Sequence, residues 1–363
     1  MANQNLSKAK TAKNDEFYTQ YADIQAEINA YVEYNPDVFR GRTILLPCDD
    51  PEWSNFTKFF AQNFENFGLK KLISTSYAVE SKKIKEWEPT IFETENPNYN
   101  ADMSRTNGKI FVLERDANQS GKIDIEDLEW KYLDGDGDFR SDEIKALRDE
   151  ADIIITNPPF SLFREFLAWI VEAGKQFVII GNMNAITYKE VFPLIKENRI
   201  WLGNGFGNGN AFFRPISNNK NYADGVFDDC TGLVKFRNCC WFTNIDHGRR
   251  HQPLKLMSMA DNIKFSKHKE VKGREYRHYD NYDAIEVPFT DAIPSDYEGI
   301  MGVPISFLDK YCPEQFEILG ATESEGKGFS NGIWNSECRV AQPMVKSQRI
   351  YKRIFIRKKQ AVQ

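Results

Sequence analysis

Cysteine, histidine and long apolar runs are what this 363-residue chain has least of. Its six cysteines (Cys48, Cys230, Cys239, Cys240, Cys312 and Cys338) are scattered without a C-x-x-C pair, and its four histidines all fall between His247 and His278. Neither a disulfide framework nor a Cys/His zinc site organises such a chain. His247 and His251 keep the i, i+4 spacing of a zinc helix, but no glutamate follows His247, so they read as surface histidines. No apolar run approaches the roughly 20 residues that cross a bilayer. Met1-Ala-Asn-Gln-Asn-Leu-Ser-Lys-Ala-Lys10 lacks the apolar segment of a signal peptide, so a cytoplasmic protein with no membrane partner is expected.

Positive charge is also short overall. A net charge of -6 argues against a phosphate-binding surface, but its distribution reverses that. After Glu337 there is no acidic residue, while Arg339, Lys346, Arg349, Lys352, Arg353, Arg357, Lys358 and Lys359 are basic. A second basic stretch runs from Arg249 and Arg250 through Lys255, Lys264, Lys267, Lys269, Lys272, Arg274 and Arg277; the acids concentrate instead between Glu80 and Asp152. Each stretch alone reads equally well as a solvated face. Two in the same third of the chain favour a nucleic-acid contact region, with Arg249, Arg250, Lys267, Arg274, Lys352 and Arg353 as candidates. Residues 1–14, carrying Lys8, Lys10 and Lys13, read as a flexible basic arm able to lie along phosphates.

A hydrophobic content of 41% and aromatic content of 13% suffice for a substantial core, and the length suits a core with an appended region. Asn14 to about Tyr34 reads as a helix, with Asp15 and Glu16 in its first turn and Pro36 after its end. Arg42-Thr-Ile-Leu-Leu-Pro-Cys48 is a buried strand, Asn55 to Phe67 an amphipathic helix closed by Gly68, and Lys71 to Tyr77 a second strand. Strands follow at Lys109–Leu113 and Gln176–Gly181, and helices at Asp142–Asp149 and Lys189–Arg199. Ile200–Gly203 is a short strand entering the glycine-rich Gly203–Gly209, and Leu233–Phe236 with Cys240–Thr243 reads as a final hairpin. Alternating strands and helices imply a doubly wound, mainly parallel sheet. From about Asp246 the sequence turns basic and turn-rich, which sets a boundary between 15–245 and 246–363.

The most informative stretch is Ala151-Asp-Ile-Ile-Ile-Thr-Asn-Pro-Pro-Phe160, a buried strand meeting a rigid turn, with helical spacing behind it. Two prolines fix φ and remove two backbone donors, so the carbonyls of Asn157 and Pro158 stand on a stiff loop at the carboxyl end of a strand. Ligands of open α/β sheets bind there. Phe160 offers a flat wall beside them. The exit of the first strand, Pro47-Cys-Asp-Asp-Pro51, has no glycine, which disfavours a dinucleotide phosphate cradle. S-adenosylmethionine has no phosphate, and its sulfonium and amino groups match carboxylates such as Asp49 and Asp50.

Asn157-Pro-Pro-Phe160 is similar to the catalytic motif of methyltransferases that modify the adenine amino group. With Asp15-Glu-Phe-Tyr-Thr19, Pro47-Cys-Asp-Asp-Pro51, Ser54-Asn-Phe56 and Gly137-Asp-Phe-Arg-Ser-Asp-Glu143, the chain resembles the EcoRI-type adenine-specific DNA methyltransferases. The resemblance implies an α/β class with a Rossmann-like methyltransferase core at 15–245 and a C-terminal DNA target-recognition region at 246–363. It also implies S-adenosylmethionine as cofactor, double-stranded DNA as partner, action as a monomer, and a cognate restriction endonuclease as counterpart. Phe17, Tyr18 and Thr19 would line the methionine end of the cofactor, Pro47, Asp49 and Asp50 would lie under it, and Asp138 would accept from its adenine amino group with Phe139 against the ring. The second strand ends Ser74-Thr-Ser-Tyr77 without an acid for the ribose, whose ligand stays open.

The implied chemistry needs neither metal nor histidine. Asn157 Oδ1 and the Pro158 carbonyl would accept the two amine hydrogens and stabilise the developing positive charge, with Pro159 stiffening the loop and the flipped base stacked on Phe160. Methylation of adenine in RNA is an alternative, as is methylation of a glutamine amide in protein, though the amide enzymes carry tyrosine where Phe160 stands. A non-catalytic DNA-binding protein of the same fold is another. Asp116, Asn118, Ser120, Asp124 and Asp127, with Gly121 at the sixth loop position, imitate a calcium-binding loop, but its twelfth position is Asp127 and not the longer glutamate. The competing reading of that segment is an acidic surface insertion.

Overall fold

The computed structural model describes residues 17–49, 54–78, 91–215, 222, 225–322, 329–330, 332–335 and 340–360. The expected basic arm with Lys8, Lys10 and Lys13 lies outside the described residues, as does Asp50. The chain divides into two compact units. One takes the described residues up to Asn182 together with Gly203–Asp246; the other takes Met183–Leu202 and the described residues from His247 onward.

The first unit is built on a mixed sheet. In chain order its strands are β2 (Thr43–Leu46), β3 (Lys71–Ser76), β4 (Lys109–Leu113), β5 (Glu129–Tyr132), β6 (Ile153–Thr156), β7 (Gln176–Asn182) and, after a gap, β12 (Cys239–Thr243). They lie side by side as β5-β4-β3-β2-β6-β7-β12. The expected parallel arrangement holds at the centre, where β3, β2, β6 and β7 run together. Its flanks are antiparallel: β4 against β3, β5 against β4, and β12 against β7. The central strands are sealed on both faces, which is why Ile44–Leu46, Ile153–Ile155 and Val178–Ile180 are unbroken apolar runs without alternation.

The helices follow from spacing and caps. Helix α1 (Tyr21–Tyr34) buries Ile24, Glu27, Ile28 and Tyr31, one face at intervals of three and four. Helix α2 (Asn55–Gln62) is capped by Ser54, whose Oγ accepts from the Phe56 amide, and it buries Phe56, Phe59 and Phe60. Each such phenylalanine contributes about 1.5–3 kcal/mol of burial, enough to fix so short a helix to the sheet. Helix α3 (Asp142–Glu150) has Ser141 as its cap, and helix α4 (Phe163–Glu172) follows the Asn157–Phe160 turn. The single helix expected over Asn55–Phe67 is broken at Asn63. That expected over Lys189–Arg199 shortens to Phe192–Lys196.

Two expectations are overturned by pairing that no local pattern reveals. Phe17–Thr19 is not the start of helix α1 but a strand, β1, which joins β9 (Ala211–Pro215) in a small antiparallel sheet of order β1-β9-β11-β10. Leu233–Phe236 and Cys239–Thr243 are not a hairpin. The first is β11, paired with β9 and with β10 (Phe227–Asp228), whereas β12 pairs with β7 in the large sheet.

In the second unit, β8 (Trp201–Leu202) precedes β13 (Ile285–Glu286), β14 (Met301–Pro304), β15 (Phe316–Ala321), the two-residue strands β16 (Met344–Val345) and β17 (Gln348–Arg349), and β18 (Arg353–Lys358). Its four-stranded sheet runs β13-β14-β18-β15, with Tyr279, Tyr282 and Phe355 packed together in its core.

Candidate active site

The carboxyl ends of β2, β3 and β6 meet in a buried hydroxyl network centred on Asp49. The Asp49 carboxylate accepts from Ser54 Oγ at 2.8 Å and from Thr156 Oγ1 at 2.8 Å. The Thr156 hydroxyl also lies 2.7 Å from the Pro47 carbonyl, so one hydrogen is shared between the carbonyl and the carboxylate. Ser74 Oγ donates to the Asp49 carbonyl and lies 2.9 Å from Thr57 Oγ1. Just before Asp49, Cys48 adopts φ of +66°, the left-handed region that a glycine would ordinarily occupy at such a turn. Three side chains thus hold a strained, glycine-free strand exit.

The strand β6 delivers Asn157 to the same edge, and its amide is anchored. Asn157 Nδ2 donates to the Phe17 carbonyl on β1 at 2.8 Å. Its other end, Oδ1, is buried and finds no hydrogen-bond partner among the described residues. A buried acceptor without a partner costs about 1–3 kcal/mol, and among the described residues nothing offsets that cost at Oδ1. Pro158 and Pro159 are buried, and the Pro159 carbonyl closes a tight turn onto the Leu162 amide at 2.9 Å. Phe160 is half-buried. Its ring centroid lies 6.3 Å from Phe17, 6.4 Å from Phe213 and 5.9 Å from Phe236, an aromatic enclosure drawn from β1, β9 and β11.

Strand β1 serves the site twice. Its Phe17 carbonyl orients Asn157, and its Thr19 carbonyl accepts from Asn55 Nδ2 at 2.7 Å. Thr19 Oγ1 is a second buried polar atom with no partner among the described residues. The Phe17 ring packs into the aromatic enclosure, and Tyr18 points to the opposite face of the small sheet.

The segment around Asp138 reaches the end of β3 because Gly137 has no side chain. At φ of +83°, a Cβ there would sit 2.4 Å from the Ser76 carbonyl. Asp138 thereby comes within 3.5 Å of the Tyr77 hydroxyl, and Arg140 grips it through Nε at 2.9 Å and Nη2 at 2.5 Å. The Arg140 guanidinium holds the Asp138 carboxyl below the usual carboxylate range, so it is an anionic acceptor at neutral pH. Phe139 is buried against Phe166 and Trp169, with the Arg140 guanidinium over its ring.

Sequence reasoning missed the partners that hold these groups. Thr156 carried a signal, as the one polar residue ending an all-isoleucine run. Phe213 and Phe236 carried only the alternation of short strands. Glu27 carried none: it is fully buried on α1 and accepts from the Asn204 and Gly205 amides at 3.0 Å each, tying down the glycine-rich loop that leads into β9. A Cβ on Gly203 would lie 1.9 Å from Glu27 Oε1, which is what the glycine is for.

The calcium-loop reading gains no support. Both Asp127 oxygens accept backbone amides, from Ala117 and Asn118 on one side and Asp124 on the other, and Asp116 accepts from Ser120 and Gly121. The loop is flanked by β4 and β5 where a calcium motif has two helices, and among the described residues no three acidic, histidine or cysteine side chains cluster as metal ligands.

The cation candidates of the second unit separate into two kinds. Arg250 and Arg353 are interior and not surface groups. Arg250 stacks 3.9 Å over Trp201 and bonds Asn198, while Arg353 holds Glu286 at 2.6 Å and donates to the Tyr351 carbonyl at 3.0 Å. Burial makes such charges depend on the groups that cover them. Lys352 donates to Thr187 Oγ1 at 2.8 Å, and Arg249 lies 3.7 Å from Asp309. Lys267, beside Asp291 at 2.9 Å, and Arg274 are exposed.

Comparison with known proteins agrees over the whole length. A family model described as adenine-specific methyltransferase EcoRI matches residues 5–359. The chain is similar to the type II methyltransferase M.EcoRI of Escherichia coli, with 41% identity over 96% of this chain and 98% of the relative. It is similar also to the type II methyltransferase M.MpnI of Mycoplasma pneumoniae, with 33% identity over 98% of this chain and 99% of the relative. The type II methyltransferase M.MgeORF184P of Mycoplasma genitalium is 30% identical over the same shares. No solved structure gives a significant match.

Proposed function

The chain belongs to the EcoRI family of adenine-specific methyltransferases, and from that premise we propose that it methylates the N6 amine of an adenine flipped out of double-stranded DNA. The observation that carries the assignment to this site is the divided amide of Asn157, anchored through Nδ2 and empty at a buried Oδ1.

The family uses S-adenosylmethionine, and the residues fit it. Buried Thr19 Oγ1 lacks a partner among the described residues, Asp49 and Asp138 offer carboxylates, and the exit of β2 needs no phosphate cradle. When bound, the cofactor supplies an electrophilic methyl group on a sulfonium. Asp49 and Thr19 would hold its cationic methionine end and Asp138 its adenine amino group. Asn157 Oδ1 and the Pro158 carbonyl would accept the two amine hydrogens of the target adenine, which directs the nitrogen lone pair toward the cofactor's methyl group; the surplus proton of the methylated amine then leaves to solvent. Because both acceptors are fixed before the base arrives, they stabilise the developing ammonium without reorganising. Phe160 stacks on the base, which returns part of the few kcal/mol spent on unstacking it.

Relatives named type II methyltransferases support DNA as the acceptor and a cognate restriction endonuclease as functional counterpart. The central parallel strands support a Rossmann-like core with the cofactor at their carboxyl ends. Exposed Lys267 and Arg274 support a phosphate-contacting role for residues 246–363; in this reading the enzyme acts on DNA as a monomer. The test incubates the protein with methyl-labelled S-adenosylmethionine and plasmid DNA, with RNA and total protein as parallel acceptors and Asn157→Ala as control. Label recovered as N6-methyladenine from DNA is the expected result. A protein that binds the cofactor yet leaves DNA unlabelled overturns the proposal.

A further inference from the structure

The small sheet β1-β9-β11-β10 has two unlike faces, fixed by its register. Thr19 lies opposite Phe213, Phe213 opposite Val234, and Ala211 opposite Phe236; this face is apolar and encloses Phe160. The alternate residues necessarily point the other way. Tyr18 lies opposite Arg214, and Phe212 opposite Lys235. On that outer face Phe212 is 38% exposed, Arg214 is exposed, and the Lys235 ammonium stands 5.8 Å from the centre of the Phe212 ring. Arg237, exposed and two residues beyond Lys235, extends the cationic side. Asp228, at the far edge, turns its carboxylate into its own loop, accepting from the Cys230 amide and the Thr231 hydroxyl.

A solvent-facing aromatic ring between cations is costly to leave bare and fits a ligand with flat rings and negative charge. The face is joined to the chemistry through β1, because Tyr18, opposite Arg214 on this face, directly follows the Phe17 carbonyl that anchors Asn157. We propose that this outer face is a nucleic-acid contact in which Phe212 stacks on a base near the target adenine while Arg214 and Lys235 take the adjoining phosphates. The inference rests on the DNA-methyltransferase reading and adds a surface to it. Stacking on an aromatic side chain is tolerant of sequence, so this face contributes affinity and register and leaves the choice of site to other residues.

The test uses the full-length protein, and measures DNA affinity against salt concentration, with S-adenosylmethionine affinity as the folding control. Phe212→Ala is expected to weaken DNA binding by about tenfold, Phe212→Trp to restore it and Phe212→Leu not to. Arg214→Gln with Lys235→Gln is expected to flatten the logarithmic salt dependence by about two phosphate contacts. Variants that bind cofactor normally and keep wild-type DNA affinity and salt slope overturn the proposal. If Phe212→Ala loses cofactor binding as well, the two cation variants decide, since Arg214 is exposed and Lys235 half-buried on the outer face, opposite the apolar one. A wild-type protein that methylates no DNA defeats the underlying reading instead, and is distinguishable because it needs no variant.

Discussion

Removing the Asn157 amide separates what it does for catalysis from what it does for stability. In Asn157→Ala the 2.8 Å donation to the Phe17 carbonyl is lost, which contributes about 1 kcal/mol and leaves a carbonyl to find water. The empty, buried Oδ1 disappears too, and with it a burial cost of about 1–3 kcal/mol in the free protein. These terms oppose each other. Folding stability is therefore expected to change by less than about 1.5 kcal/mol, a few degrees in thermal midpoint for a unit of this size. Catalysis has no such compensation. Losing one pre-aimed group at the reacting centre corresponds to about 2.7–4 kcal/mol, or a fall of about 10² to 10³ in the methyl-transfer rate. Asn157→Asp separates the two in the opposite sense: it keeps an acceptor where Oδ1 stands but sets oxygen against the Phe17 carbonyl. It should retain more activity than alanine while unfolding at a lower temperature. Single-turnover methylation at saturating DNA and cofactor, beside thermal unfolding of each variant, measures both. An alanine variant within fivefold of the wild-type rate, or one whose lost activity simply follows unfolding at the assay temperature, would refute the reasoning.

Two further outcomes follow from the groups around Asn157. Thr156→Val keeps the shape of a fully buried side chain but leaves the Pro47 carbonyl and Asp49 Oδ2 without their hydroxyl, so a loss of about 1–3 kcal/mol is expected in denaturant titration; cofactor affinity should fall with it, and an unchanged midpoint would count against the hydroxyl network. Because Asp138 is held below the ordinary carboxylate range, chiefly by hydrogen bonds from Arg140, its contribution is complete above the unfolded value near 4 and is lost as pH falls through the lower folded value. S-adenosylmethionine affinity should accordingly stay level from neutral pH down to about 5, and Arg140→Ala should move the acid-side loss to higher pH. Calorimetric titrations of both proteins across that range check this, and coincident profiles would show that the arginine does not tune the carboxylate.

How much was legible in the sequence varies with the range of the interaction involved. Ile153–Thr156 and Asn157–Phe160 were readable because a doubly covered strand must be a continuous apolar run and because two prolines leave the chain few conformations. The beginning of the chain misled for the same reason: acidic residues ahead of a periodic segment suggest a helix start, whereas Phe17–Thr19 is held extended by β9, nearly 200 residues away. Basic composition did not reveal that Arg250 and Arg353 are buried, because a positive charge in the sequence does not tell whether Trp201 or Glu286 will cover it.

The sequence by itself determined the type of chemistry, through a stiff loop of specified residues after a buried strand and a strand exit without glycine. Only the tertiary structure decided which end of the Asn157 amide is free to act. The sequence makes the two ends of an amide available alike; the Phe17 carbonyl, brought in by long-range pairing of β1 with β9, occupies the nitrogen and leaves the oxygen buried and without a partner among the described residues. That pairing also divided the aromatic residues of the small sheet between an enclosure around Phe160 and an exposed face, since alternate residues of a strand must point in opposite directions.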